Sequence, residues 1–236
     1  MSLRRIARFL GAVVIAFGAM LLGAAVPSAS AEPCPDVEVV FARGTGEPPG
    51  VGGMGQAFVD SLRAQSGGRS VDVYAVDYPA SSDFADRMAF AGTVVDGIRD
   101  AGAHIQSTAA TCPTTRIVVG GYSQGAVVAG FVTSAATPEA VPAEYRASLP
   151  KPMPPEVADH VAAVDLIGKP SDAFLRDYGA PPIVIGPRYA AMTIEVCAPG
   201  DTICDGTAGG GPTIAHALYA VNGMVEQAAT FAAGRL

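Results

Sequence analysis

The chain has 236 residues, 50% hydrophobic and 16% charged, a balance that excludes disorder and fits one globular domain with a full core. Its formal net charge of −7 argues against a nucleic-acid partner, whose phosphates would be repelled rather than neutralised.

The N-terminus carries Arg4, Arg5 and Arg8, then the uncharged apolar run 9–26, then Ala29-Ser30-Ala31. This is the pattern of a cleavable signal peptide over 1–31, with the globular domain over 32–236 and a secreted or envelope-associated product. A transmembrane anchor competes for the same run, but its glycines and the small-x-small site favour cleavage, so no stable membrane insertion is expected after it. Arg4-Arg5 leaves the choice between general and twin-arginine export open.

Short β-branched apolar runs at 37–42, 71–76, 117–120, 161–167 and 192–196 predict five strands. Segments 54–65, 83–110, 124–136 and 214–233 have helical spacing and alternate with those strands. Alternation with near-continuous apolar strands predicts an α/β fold, a three-layer α/β/α sandwich around a mostly parallel five-stranded sheet. The stretch 137–156 holds Pro138, Pro142, Pro150, Pro152, Pro154 and Pro155 and is expected as an extended surface excursion within one domain.

Cys34, Cys112, Cys197 and Cys204 all follow the signal, and export would place them where disulfides persist. Of the three possible pairings, Cys197 with Cys204 and Cys34 with Cys112 is preferred, because the first two are near neighbours. Neither pair has a C-x-x-C form, so no metal or redox cofactor is implied.

Gly121-Tyr122-Ser123-Gln124-Gly125 matches G-x-S-x-G between a predicted strand and a predicted helix, the context of a nucleophile elbow. A serine hydroxyl needs a base to take its proton and a carboxylate to orient that base. His104 precedes the serine and cannot meet the order serine, acid, histidine, His160 lies just before a strand, where a surface role is more usual, and His216 after Asp201 is the choice. Asp201, inside the Cys197–Cys204 loop, is the preferred acid, with Asp165 in the 161–167 strand as its rival. The expected oxyanion donors are the Gln124 N–H and Thr45, in the Arg43-Gly44-Thr45-Gly46 turn after the first strand, although such a turn can also do nothing but turn.

Taken together, Arg43-Gly44-Thr45, the serine pentapeptide, the cystine loop around Asp201 and His216-Ala217-Leu218-Tyr219 resemble the cutinase family, especially its actinobacterial members. The resemblance places the family's C-x-x-x-D-x-x-C on Cys197, Asp201 and Cys204, and its H-x-x-Y on His216 and Tyr219. It implies a small lidless α/β-hydrolase that cleaves carboxylic esters through an acyl-enzyme, with Ser123, His216 and Asp201 as triad and no cofactor. The apolar-poor run 205–212 makes action on cutin itself doubtful, and short to medium acyl esters or small lipids are the expected substrates of a monomeric enzyme. Phe84 and 180–185 are candidate acyl contacts. Lipase, phospholipase, thioesterase or acyltransferase action would use the same triad, and a non-catalytic lipid-binding protein is the alternative from a different class.

Overall fold

The structure is a computed structural model that describes residues 34–236, so the expected signal segment lies outside the described residues. Strands β1 (Val37–Ala42), β2 (Val71–Ala75), β3 (Arg116–Tyr122), β4 (Val161–Ile167) and β5 (Thr193–Val196) form one sheet in the order β2-β1-β3-β4-β5. Every pairing is parallel, so the sheet is wholly rather than mostly parallel.

Alternation along β1 explains the layers. Val37, Val39 and Phe41 turn to one face, against α1 (Gly52–Gln65) and α8 (Met224–Ala233). Val40 and Ala42 turn to the other, against α2 (Arg87–Thr111) and α3 (Gln124–Val132). Each such Val or Phe, fully buried, stabilises the fold by about 1.5–3 kcal/mol relative to exposure. Because both faces are covered, the strands are mainly apolar on both sides, with single charged residues such as Glu38 and Asp165 as exceptions.

The chain leaves β1 for β2 on one side and then crosses to β3 on the other. The C-terminal ends of β1 and β3 therefore flank the topological switch point, where parallel α/β sheets open a crevice. The turn bearing Thr45 leaves β1 there, and Ser123 leaves β3 there.

The helix predicted over 83–110 begins at Arg87, because the Asp86 carboxylate accepts the Ala89 N–H at 2.9 Å and caps it. Its far end is tied to the start of β1 by the Cys34–Cys112 disulfide. The proline-rich excursion holds one helical turn, α4 (Ala143–Arg146), and ends in a 3-10 helix, Pro155–Asp159. Short helices α5 (Asp172–Asp177) and α6 (Pro187–Ala190) separate β4 from β5.

The single helix predicted over 214–233 is two, α7 (Ile214–Ala217) and α8. Gly223 sits at φ 85° between them, a left-handed conformation that ends helical hydrogen bonding and that glycine adopts without steric cost. The break lets Tyr219 turn into the core, where it is fully buried. Among the described residues no helix is long and apolar enough to cross a membrane.

Candidate active site

β3 ends in a sharp turn at Ser123, held at φ 54° and ψ −117°. A non-glycine residue there is strained by about 1–3 kcal/mol. The strain is held by the Ser123 N–H bond to the Ile167 carbonyl at 2.9 Å and by the start of α3. Both glycines of the motif answer to backbone. A Cβ on Gly121 would lie 2.1 Å from the Gly125 carbonyl oxygen, and one on Gly125 would lie 1.9 Å from that of Ala42, at the end of β1. The second glycine is therefore demanded by the neighbouring strand and not by the other side of the elbow.

His216 Nε2 lies 2.9 Å from Ser123 Oγ, and Nδ1 lies 2.7 Å from Asp201 Oδ2. A carboxylate only accepts, so Nδ1 carries the proton and Nε2 presents its lone pair to the serine hydroxyl. The histidine is carried by α7 and is buried. Tyr122 stacks on its ring at 5.1 Å and donates its hydroxyl to the His216 carbonyl at 2.6 Å. Burial pushes the Tyr122 phenol well above its usual range, so it stays a donor.

Asp201 is fully buried yet satisfied. Its Oδ1 accepts the Ile203 N–H at 3.1 Å, and its Oδ2 accepts the Tyr219 hydroxyl at 2.6 Å as well as the histidine. Tyr219 is anchored in turn by the Ala198 N–H, which donates to its oxygen at 2.9 Å. The Cys197–Cys204 disulfide closes the loop around the acid.

The two expected oxyanion donors, Gln124 and Thr45, border the cleft onto which Ser123 opens. Gln124 opens α3, where the first N–H groups of a helix have no internal acceptor. Thr45 lines the same cleft as Ser123, and its flanking N–H groups are committed: Gly44 to Glu47 Oε2 at 2.6 Å and Gly46 to the Ala80 carbonyl at 2.7 Å. Glu47 also takes the Gly53 N–H at 2.7 Å, and its carbonyl accepts Arg43 Nε at 2.8 Å. Arg43 is buried over the Tyr78 ring and donates to the Tyr78 carbonyl, while the Tyr78 hydroxyl returns a bond to the Arg43 carbonyl. This frame of Arg43, Glu47 and Tyr78 escaped the sequence reading. The available signal was a pair of opposite charges flanking a Gly-Thr-Gly turn in a chain poor in charge.

The other candidates lie elsewhere. His104 bonds Glu38 at 3.0 Å near the start of β1, at the opposite edge of the sheet, and stacks on Tyr74 at 3.4 Å. His160 caps the 3-10 helix before β4. Asp165 lies in mid-strand, between Val164 and Leu166 of the α2 and α3 face, so its side chain turns to the α1 and α8 face. Among the described residues neither of its oxygens has a hydrogen-bond partner, and burial pushes its carboxyl well above the usual range, against the opposing charge of Arg235. Phe84, Ala180 and Pro181 line the cleft that Ser123 and His216 share, whereas Ile183 packs against Gly130 and Val184 is exposed.

A parallel sheet with a strand–serine–helix elbow at its switch point defines an α/β-hydrolase of the serine esterase class. The chain belongs to the cutinase family, whose family model matches residues 33–236. It is 61% identical over 173 residues to the probable carboxylesterase Culp7 of Mycobacterium tuberculosis, covering 73% of this chain and 89% of that one. It is 49% identical over 240 residues to the carboxylesterase Culp1 of Mycobacterium bovis, covering 100% and 98%. Among solved structures it is similar to a Trichoderma reesei cutinase in complex with a C11Y4 phosphonate inhibitor, with TM-score 0.61 and 32% identity over 86% of this chain and 77% of that one. The protein is thus a carboxylic ester hydrolase, and its substrates are esters.

Proposed function

We propose that Ser123, His216 and Asp201 hydrolyse carboxylic esters through a covalent acyl-enzyme. The observation that carries this reading is the unbroken run of hydrogen bonds from Asp201 Oδ2 through both ring nitrogens of His216 to Ser123 Oγ. Ser123 Oγ attacks the carbonyl carbon as its proton passes to His216 Nε2. The bond from that carbon to the alcohol oxygen breaks, the alcohol leaves with the proton from Nε2, and the acyl group stays on Oγ. Water then attacks the acyl carbon, giving its proton to Nε2, which returns it to the departing serine oxygen.

Asp201 does not move a proton in this scheme. It fixes the tautomer of His216 and stabilises the imidazolium that forms in each half. The Gln124 and Thr45 N–H groups receive the charge that develops on the carbonyl oxygen, a contribution of about 2.7–4 kcal/mol for one donor of this type. The same reading takes residues 1–31 as an export signal and the product as a secreted monomer; the two disulfides support an oxidising destination.

The test is covalent labelling with a fluorophosphonate, run beside hydrolysis of a p-nitrophenyl butanoate. Wild type is expected to be labelled at Ser123 and to turn over, and Ser123→Ala to do neither. A folded wild type that resists the probe and leaves the ester intact would falsify the proposal.

A further inference from the structure

The cleft that opens at Ser123 and His216 has a volume of about 1460 Å³, well above the roughly 300–1,000 Å³ of an ordinary small-molecule pocket. Most of it does not surround the serine. Its lining on α2 runs from Arg87 to Gln106, roughly 28 Å of axis at about 1.5 Å per residue. We infer that this cleft is a channel for one long acyl chain, which leaves the Ser123 acyl carbon and lies along α2 toward the proline-rich excursion.

The first half of α2 supplies the clearest sign. No residue between Arg87 and Asp96 is fully buried, although Met88, Phe90, Ala91, Val94 and Val95 all line the cleft. Met88 is 63% exposed and Phe84, just before the helix, 40%. A helix in a finished core covers such a stripe, so here an apolar surface continuous with the nucleophile has no partner among the described residues.

The far wall explains the excursion. Val141, Leu149 and Met153 are half-buried and turned into the cleft, and Arg99 of α2 donates to the Ser148 carbonyl at 3.2 Å, tying the wall to the floor. Pro150, Pro152 and Pro154 keep the backbone between α4 and the 3-10 helix out of a helix, so this wall does not pack down as one against α2. Near the serine, an aromatic series bridges the two sides: Phe90 to Phe84 at 4.8 Å, Phe84 to Tyr178 at 5.6 Å and Tyr178 to Phe174 at 4.8 Å.

The lining is mainly apolar, with Asp96, Arg99, Gln106 and Lys151 as polar groups at intervals along it, and the amides of α2 are spent within the helix. It suits an unbranched alkyl chain and leaves the buried amides of a peptide unpaired. Of the apolar-poor run 205–212, which makes action on cutin doubtful, only Pro212 lines the cleft. The apolar surface comes from α2 instead.

The inference rests on the esterase reading, and the experiment separates the two. Specificity constants would be measured for p-nitrophenyl esters from butanoyl to hexadecanoyl, in a fixed neutral detergent, beside alkyl acetates of matching length on the alcohol side. Each methylene buried in the transition state is expected to raise kcat/KM about three- to fourfold; burial of even two or three of those added between octanoyl and hexadecanoyl gives about a tenfold rise, the least that is expected, with no such rise along the alcohol series. The exposed alanines Ala91 and Ala103 line the cleft at different depths. Ala91→Trp is expected to cut the ratio of long-chain to butanoyl kcat/KM from shorter chain lengths upward, and Ala103→Trp only for longer chains. A wild type that is labelled at Ser123 and hydrolyses butanoyl ester, yet shows a flat or falling profile beyond octanoyl, overturns the channel and leaves the esterase standing. A rise along the alcohol series alone overturns the acyl assignment. Loss of labelling and of all ester turnover sinks the esterase reading itself.

Discussion

The Tyr219 hydroxyl and the His216 imidazole share a single oxygen of Asp201, Oδ2, at 2.6 and 2.7 Å. The tyrosine thus fixes the position of the atom that fixes the histidine. Tyr219→Phe removes that bond and strands the buried Ala198 N–H, which costs about 1.5–3 kcal/mol. Beyond the loss of stability, kcat is expected to fall with little change in KM, because Tyr219 is fully buried and does not line the cleft. Steady-state kinetics beside a denaturant titration separate the two effects; a stability loss with kcat intact makes Tyr219 structural only.

The strain at Ser123 predicts an inverse relation between stability and activity. Ser123→Ala keeps a Cβ at φ 54° and is expected to stay as stable as wild type, whereas Ser123→Gly should gain about 1–3 kcal/mol while losing turnover. Equal unfolding free energies for the two variants would show that the turn is unstrained.

The two disulfides are expected to differ in what they do. Opening Cys34–Cys112, which closes 78 residues, should cost about 4.5 kcal/mol of stability by chain entropy. Opening Cys197–Cys204, with a separation of 7, should cost about 2.5 kcal/mol but lower kcat, since it frees the loop that holds Asp201. Paired Cys→Ser variants, assayed for kcat and for unfolding midpoint, test both halves; an undiminished kcat in the folded second variant refutes the positioning role.

Asp165 makes stability depend on pH. Its carboxyl is fully buried, has no hydrogen-bond partner among the described residues and holds its proton well above the usual range. The unfolded chain releases that proton near pH 3.9, so above that value the folded state binds more protons and stability falls as pH rises, by up to about 1.4 kcal/mol per pH unit. The fall ends once the folded state also releases it. Asp165→Asn cannot titrate and should flatten this part of the profile, measured as unfolding free energy between about pH 4 and 7. An unchanged slope would exclude Asp165 as its source.

Much of the fold was readable because each strand is a β-branched run and each crossing helix has a turn on either side. The elbow was readable for the same reason, since its serine falls between such a strand and such a helix. Two acids competed on paper because Asp165 and Asp201 both sit among apolar residues. What separates them is depth: Asp165 lies two residues short of the end of β4 and turns onto a helix-covered face, while Asp201 lies beyond the end of β5. The break before α8 did leave a sign, the Asn222-Gly223 pair, which the helical periodicity of its neighbours masked. The long cleft left none, because an apolar stripe on α2 reads the same whether a protein core or a substrate is meant to cover it.

Gly125 and the last carbonyl of β1 stand so close that not even a methyl group fits between them. The elbow and the end of β1 that leads into the Thr45 turn are therefore welded backbone to backbone, and no side chain can be added at that seam. Diversity of diet among such enzymes then has to be written elsewhere, in the half-helix and the proline-rich wall that border the weld without belonging to it. Those segments are where an engineer seeking a new substrate should cut, leaving the weld untouched.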